Sequence, residues 1–453
     1  MSSQFAALAG VPADSKPSRD NTSAGVSITA NWQLGGAKLT SISAYDRLTR
    51  RELNDWDASS SPESDTFWHS NVSVASQELR LASTTAGNLK WLGGVYYSSQ
   101  SLDEIFLTDF SHSLGFITNT HYRQQVKSLS GFGQIEYKTS PRTNLILGLR
   151  YEDEKRALTG FRTNLVNLFD LFNDGDRKTG FNEWSGKAAF EFKPVDGTLL
   201  YASASRGVKS GGFTVYNSPS DHQIDPFRPE VLIAYEAGFK SQLAPQLYVN
   251  GAIFHYDYTD QQVLTAVFDP VNGAIGRIAN APKSRIDGAE LEAVWTPVHG
   301  LNITQTLAYK KGEYVKFLDV DATTAVQDPV THLWSASFID RHGQDLGFPK
   351  LSYNGAISYN WTAGGSEWRV GTDYAYRDKL TSWLGSDFNV KAYWLANADI
   401  SIHPQNSNWA FSLYGRNITD TKYDVTRNYF LVNSKVGYPG KPATWGVRLQ
   451  YTY

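Results

Sequence analysis

Runs of apolar and polar residues in strict alternation, each sustained for roughly ten positions, constrain this chain more than any other feature. In 351–361, Tyr353, Gly355, Ile357, Tyr359 and Trp361 share one face, and Asn354, Ala356, Ser358 and Asn360 the other. In 368–376, Trp368, Val370, Tyr374 and Tyr376 alternate with Arg369, Gly371, Asp373 and Ala375. In 392–403, Ala392, Trp394, Ala396, Ala398, Ile400 and Ile402 oppose Asn397, Asp399, Ser401 and His403. Strands of soluble domains average about 5–6 residues. A tilted strand that crosses a bilayer needs about 9–11. The alternation therefore predicts an all-β, antiparallel transmembrane barrel whose strands turn one face to hydrocarbon and one to a polar lumen.

Connection lengths alternate as well. Short ones fall at 34–38, 83–88, 138–144, 193–198, 242–246, 296–300, 361–367 and 404–408. Long polar ones fall between them, at 54–65, 158–180, 209–228, 314–346 and 419–439. Short turns on one side and long loops on the other are the outer-membrane pattern; a sandwich or propeller has no reason to produce it. The spacing predicts about 17 strands, beginning near Gly25 and ending at Tyr453. The first and last strands both run toward the short turns, so pairing them directly would be parallel. Antiparallel closure of an even-stranded barrel then requires an odd number of further strands.

Composition excludes several alternatives. A formal net charge of −3 and a pI near 6.3 lack the Lys/Arg excess of a nucleic-acid binder. With no cysteine, neither disulfides nor thiolate metal sites are possible. Aromatics reach 13%, with 25 Tyr and 13 Trp, the residues that gather where hydrocarbon meets water. Mean hydropathy is −0.38, and no apolar run approaches the ~18 residues of a membrane helix. Residues 1–24 form an irregular segment by this reading, followed by one barrel unit over 25–453. The segment 1–20 lacks a basic stretch followed by an apolar one, so it is not a secretory leader; either a leader has been removed or the frame is incomplete.

The last ten residues place Trp445, Val447, Leu449, Tyr451 and Tyr453 on one face, against Gly446, Arg448, Gln450 and Thr452. An edge strand of a soluble sheet would leave that face without cover. The pattern resembles the aromatic-ended signal that the barrel-assembly machinery recognises. Further segments, in order, resemble TonB-dependent receptors. Pro229-Glu230 followed by Tyr235, Glu236, Gly238 and Lys240 is similar to that family's PE…YE-x-G-x-K strand. Asn280-Ala281-Pro282 leading to Gly288 and Glu290 is similar to its NA…G-x-E strand. Asn417, Asp420 and Tyr423, then Gly437-Tyr438-Pro439-Gly440, resemble the end of its barrel. Ser205–Phe213 and Ser76–Leu81 are weaker matches.

This resemblance implies an outer-membrane importer of a large, scarce nutrient of the siderophore, vitamin or glycan class. Its partners would be outer-membrane lipid, the barrel-assembly machinery and an imported ligand that the sequence does not name. The TonB complex would be a partner only if the full-length protein carries a plug and TonB box; neither is recognisable here. Against the family's 22 strands, about five are missing, the same odd remainder that parity requires. The expectation is a barrel fragment without its plug; the alternative is a plugless passive pore or surface-binding barrel.

No catalytic, cofactor or metal residues are expected. Nine His are scattered without HExxH, Gly207-Val208-Lys209-Ser210 lacks the phosphate-loop ending, and no GxSxG occurs. Carboxylates at Asp55 and Asp57, Glu152 to Glu154, and Asp174 with Asp176 read as loop or lumen-rim charge rather than a glycosidase pair. Trp56, Phe67, Trp68, Phe227 and Trp334 read as girdle aromatics.

Overall fold

A computed structural model describes residues 1–453 except 57–63, 113–114, 167–168, 174–175, 216–222, 272, 322–323, 383–387, 431–433 and 453. The wall begins with β1 (Ser18–Leu34), β2 (Ala37–Asp55), β3 (Asp65–Ser83), β4 (Leu89–Phe110), β5 (Phe116–Ser140) and β6 (Thr143–Leu165). After a strip β7 (Phe169–Asn173) come β8 (Arg177–Phe192), β9 (Thr198–Lys209), β10 (Glu230–Ala244), β11 (Leu247–Asp269), β12 (Gly273–Trp295) and β13 (Leu301–Lys316). The next long connection holds β14 (Leu318–Val320), β15 (Val326–Gln327), β16 (Trp334–Ser335) and β17 (Phe338–Asp340). The wall resumes with β18 (Leu351–Ala363), β19 (Ser366–Arg377), β20 (Tyr393–Pro404) and β21 (Trp409–Arg416). The hairpin β22 (Asp424–Phe430) and β23 (Ser434–Pro439) precedes the last strand, β24 (Thr444–Tyr451).

Eighteen strands join one antiparallel sheet. Setting aside the five-residue β7, which pairs only with the tip of β6, leaves the 17 wall strands that the alternation predicts. Consecutive wall strands are neighbours throughout. Among the described residues β1 ladders only with β2, and β24 only with β21. No helix is long and apolar enough to cross a membrane.

Register makes the two faces continuous. Trp91, Ile135, Leu147, Ala188, Ala204 and Tyr235 lie on one rung, each opposite the next across β4 to β10. On the same outer face Ile253, Leu291, Val447 and Trp445 are 65%, 45%, 76% and 65% exposed. The alternate positions, such as Arg150, Glu152, Glu236, Glu290 and Asp399, face the lumen. Short turns hold this register. At 363–366, Ala363 pairs with Ser366 across Gly364 and Gly365, whose φ values of 59° and 69° are those a two-residue primed turn needs.

Two expectations are corrected. Most wall strands run beyond ten residues, to 25 in β5, because the ladders continue past the apolar belt toward the long-loop end, whereas β21 and β24 span 8 each. Polar residues occupy both faces there, so no hydrophobic period marks the continuation; much of 158–180 is strand rather than free loop, and 209–228 is tied across by the bridge between Gly212 and Phe227. Nor is the N-terminal segment irregular. It holds α1 (Ser3–Ala9), N-capped by Ser2 and closed by Gly10, and β1 starts at Ser18, seven residues early. Phe5 and Ala9 of α1 pack on Leu53, Phe67, Leu107 and Ile117 at the long-loop end.

Candidate functional site

The motif residues assemble into three constructions, each at a point where the wall has a problem to solve. The first is in the lumen. Tyr201 stands opposite Gly238, and because Gly238 carries no side chain the ring lies across it and donates its hydroxyl to Glu236 at 2.7 Å. In the same way the Phe254 ring covers Gly288 on the neighbouring strand. Glu290 and Lys240 share this inner face, whereas Tyr235 points outward and stacks near His255. The glycines thus seat aromatic rings against a curved wall, a known device for weak strand positions.

The second construction joins two motifs far apart in sequence. Pro282 has no N–H to offer the ladder, and Asp260 opposite it leaves the β11–β12 pairing with φ 55°, while register resumes unshifted on both sides. The vacancy is tied down by side chains. Asn280 Nδ2 donates to the carbonyls of Asp260 (2.8 Å) and Arg228 (3.0 Å), and its Oδ1 accepts the Arg228 N–H (2.8 Å). Glu230, following Pro229, accepts the Gln262 N–H at 2.7 Å, and Arg228 binds Asp260 at 2.5 Å.

The third aims β24. Asn417 and Asp420 adopt φ of 46° and 47°, a left-handed conformation that Asn and Asp tolerate. Asn417 Nδ2 donates to the carbonyls of Thr421 and Lys441, both at 3.0 Å, and its Oδ1 accepts the Thr421 N–H at 2.9 Å. Asp420 accepts the Ala443 N–H at 2.9 Å and Lys422 Nζ at 2.9 Å. These two donors, the backbone N–H first, hold its carboxyl below the usual carboxylate range. Tyr423 lies over Gly440 and its carbonyl accepts the Gly440 N–H, while Pro439 closes the β22–β23 ladder opposite Asp424. Both ends of the last long connection are thereby pinned where β24 begins. In β24, Trp445, Val447, Leu449 and Tyr451 are all exposed on the outer face; Tyr453 lies outside the described residues.

Tyr235 borders a groove on the outer face, and Asn280 and Pro282 a depression of about 420 Å³, but the polar groups of these motif residues are engaged in holding the wall. The site with binding chemistry is the lumen face near the long-loop end of β2 to β6, which the sequence reading did not assemble. Arg50 reaches Glu104 at 2.7 Å and Ser70 at 2.8 Å; Glu104 is 2% exposed. Trp68 lies against the Arg50 guanidinium and within 3.9 Å of the Phe106 ring. Beside this, Tyr96, Gln100, Gln124, Glu152, Glu154 and Arg156 line a depression of about 280 Å³. Arg150 holds Glu152 at 3.0 Å and lies over Tyr96, and Arg156 holds Glu154 at 2.6 Å. Glu154 also accepts from Ser210, on the connection that folds inward after β9. Phe213 and Ile224 of that connection pack on Tyr122, Leu158 and Phe161. The arrangement offers paired cations, carboxylates and aromatic faces to a polar ligand.

Of the carboxylates read as rim charge, Glu152 and Glu154 line this lumen site and Asp153 faces outward; Asp57 and Asp174 lie outside the described residues. The girdle reading is corrected for four of the five loop aromatics. Phe67 is buried under α1, Trp68 supports Arg50, Phe227 is buried beside Gly212, and Trp334 covers Gly273. Their polar flanks gave no sign that the ladders continue and fold over them. Among the described residues no group of three or more His, Asp or Glu is placed to hold a metal ion.

Known proteins match this architecture. The family model described as "TonB dependent receptor-like, beta-barrel" matches residues 4–418. The ferric yersiniabactin uptake receptor FyuA from Yersinia pestis superposes with a TM-score of 0.79 at 15% identity, over 96% of this chain and 62% of its own. The siderophore receptor PiuA from Acinetobacter baumannii does so at 0.73 and 15%, over 96% and 64%. The copper transporter OprC gives 0.67 and 14%, over 96% and 65%. The chain thus spans somewhat less than two thirds of these structures. The alternating two-faced wall, the ordered motifs and the matched model together make this chain a member of the TonB-dependent receptor family, carrying its β-barrel.

Proposed function

We propose that this chain forms the barrel wall of an outer-membrane importer for a large, scarce nutrient, with a chelated metal as the favoured substrate class. The supporting observation is the lumen site at the long-loop end, where Arg50, Arg150 and Arg156 stand among Tyr96, Trp68 and carboxylates. That mixture suits an anionic or catechol-bearing chelate, with guanidinium groups for its oxygens and ring faces for its planar parts. The similar structures are a ferric yersiniabactin uptake receptor, a siderophore receptor and a copper transporter, which points the same way. In this reading the long loops face the outside and the short turns the periplasm. The outer face of β24, with Tyr453 beyond it, is the surface offered to the barrel-assembly machinery. A plug and the TonB complex would gate and energise the complete importer.

The test uses folded chain in outer-membrane vesicles and tryptophan quenching by ferric catecholate, ferric hydroxamate and ferric citrate. At least one chelate should quench saturably, and Arg156→Ala and Tyr96→Ala should each weaken it about tenfold, the loss of one hydrogen bond to a charged group or one stacking face. Unchanged binding in both variants would remove the lumen site from the proposal. Absence of the chain from the outer-membrane fraction would overturn the whole reading.

A further inference from the structure

The outer face carries a groove that the importer reading leaves unused. Gly93, Gly133 and Gly186 lie at its floor, Gly93 directly opposite Gly133, and Leu149 between Gly133 and Gly186. Leu147, Trp184 and Tyr235 rise around them, and the depression encloses about 770 Å³. At its upper corner the β8–β9 ladder ends at the pair Gly186 and Arg206. Arg206 lies over Trp184, bonds its carbonyl, and holds Glu183 at 2.8 Å. Its charge is already matched.

Above the groove the same face turns basic. Lys127 stands directly opposite Lys155, and Lys178 occupies the next outward position on β8. Like charges placed directly opposite repel one another across a ladder. Among the described residues the ion pair they make is Lys155 with Asp153 at a loose 3.7 Å, with the lysine 77% exposed. Three lysines stand against Asp153 and the exposed Asp176, two positions before Lys178, which leaves the patch with a net positive charge.

The spacing relates the two features. From Leu149 to Lys155 is six residues, about 20 Å along the strand. At a strand tilt of about 40° that is roughly 15 Å of depth, half of a hydrocarbon core of about 30 Å. The groove therefore lies near the midplane when the lysines lie at the outer headgroup level, with Tyr151 and Trp184 on the wall just above it. We infer that this face binds one phosphorylated, multiply acylated lipid of the outer leaflet, its phosphate on Lys127, Lys155 and Lys178 and an acyl chain in the glycine-floored groove. The inference rests on the outer-membrane placement proposed above.

The test measures retention of diphosphorylated lipid A by the folded chain in zwitterionic detergent, counted by native mass spectrometry. Its dephosphorylated counterpart and dipalmitoyl phosphatidylglycerol serve as comparison lipids. The wild-type chain should retain one copy of the diphosphorylated lipid and hold both others at least tenfold more weakly. The triple substitution Lys127→Gln, Lys155→Gln, Lys178→Gln should erase that preference. Gly133→Leu should weaken retention by filling the groove; a Cβ there meets nothing nearer than the Leu92 carbonyl oxygen at 3.6 Å, so the strand should accept it. Heat-modifiable gel mobility checks that each variant folds, and Gly133→Ala, a smaller intrusion, should fall between. Wild-type retention in both the triple variant and Gly133→Leu would overturn the inference, as would equal retention of the dephosphorylated lipid. A folded, outer-membrane chain that retains none overturns this inference alone; a chain that never enters the membrane overturns the proposed function with it.

Discussion

Replacing Asn417 should release β24 far more than replacing an ordinary loop residue. The Asn417 side chain makes three hydrogen bonds, two as donor and one as acceptor, and the residue is only 6% exposed. At about 1 kcal/mol net for each, Asn417→Ala forfeits about 3 kcal/mol. The backbone at φ 46° adds about 1 kcal/mol more for alanine, which Asn largely avoids. Asn417→Gly loses the same bonds but not the backbone term, so it should cost about 3 kcal/mol rather than about 4. The Asn417 N–H keeps its bond to Asn397 in both variants. Because β24 ladders only with β21 among the described residues, the loss should surface locally. Amide exchange over 444–451 should accelerate by about a hundredfold in the Gly variant and several-fold further in the Ala variant, at about 1.4 kcal/mol per tenfold. Exchange at wild-type rates in Asn417→Ala, or an Ala variant no faster than the Gly variant, would refute the account of this clamp.

Two further outcomes follow from the same geometry. Asp420 has its folded carboxyl lowered, so its contribution is complete above the ordinary Asp value of about 3.9 and is lost as pH falls through the lower folded value. Pepsin should therefore reach the start of β24 increasingly below about pH 4; Asp420→Asn should be open already and show no acid step, and identical profiles would contradict the assignment. Gly288→Ala drives a methyl group into the Phe254 ring, and to 2.8 Å from the Tyr309 carbonyl oxygen, and should cost about 1–3 kcal/mol in urea unfolding, partly recovered in combination with Phe254→Ala, which relieves the ring contact alone. No recovery in the double variant would mean the ring and the glycine are not partners.

Much of the wall was legible because a period of two is unambiguous when one face is apolar. Val447, Leu449 and Tyr451 could face only one way, and the two-residue turn at Gly364 and Gly365 announces itself. The strand ends were not legible. Lys127, Lys155 and Lys178 belong to the same ladders as Leu129, Leu149 and Trp184, but with polar residues on both faces nothing in their order distinguishes strand from loop. Motif residues such as Asn280 and Asn417 were visible as a resemblance, yet their work is long-range. Asn280 answers a missing N–H at Pro282 and bonds Arg228, which is 52 positions away, and no local pattern encodes that. The lumen site was missed for the same reason, since Arg50, Glu104 and Arg156 meet only when three hairpins are side by side.

The strict exchange of faces along β6, with Leu147, Leu149 and Tyr151 outward and Arg150, Glu152 and Arg156 inward, also sets a grammar for change. One inserted or deleted residue at the foot of this strand would turn Arg150 and Glu152 toward hydrocarbon, where an arginine near the midplane costs about 2–4 kcal/mol. Single-residue length changes should therefore be purged from the wall. Lineages of this barrel should diverge in length only beyond the belt or in steps of two within it. Its long loops are free to drift, and its strands keep count.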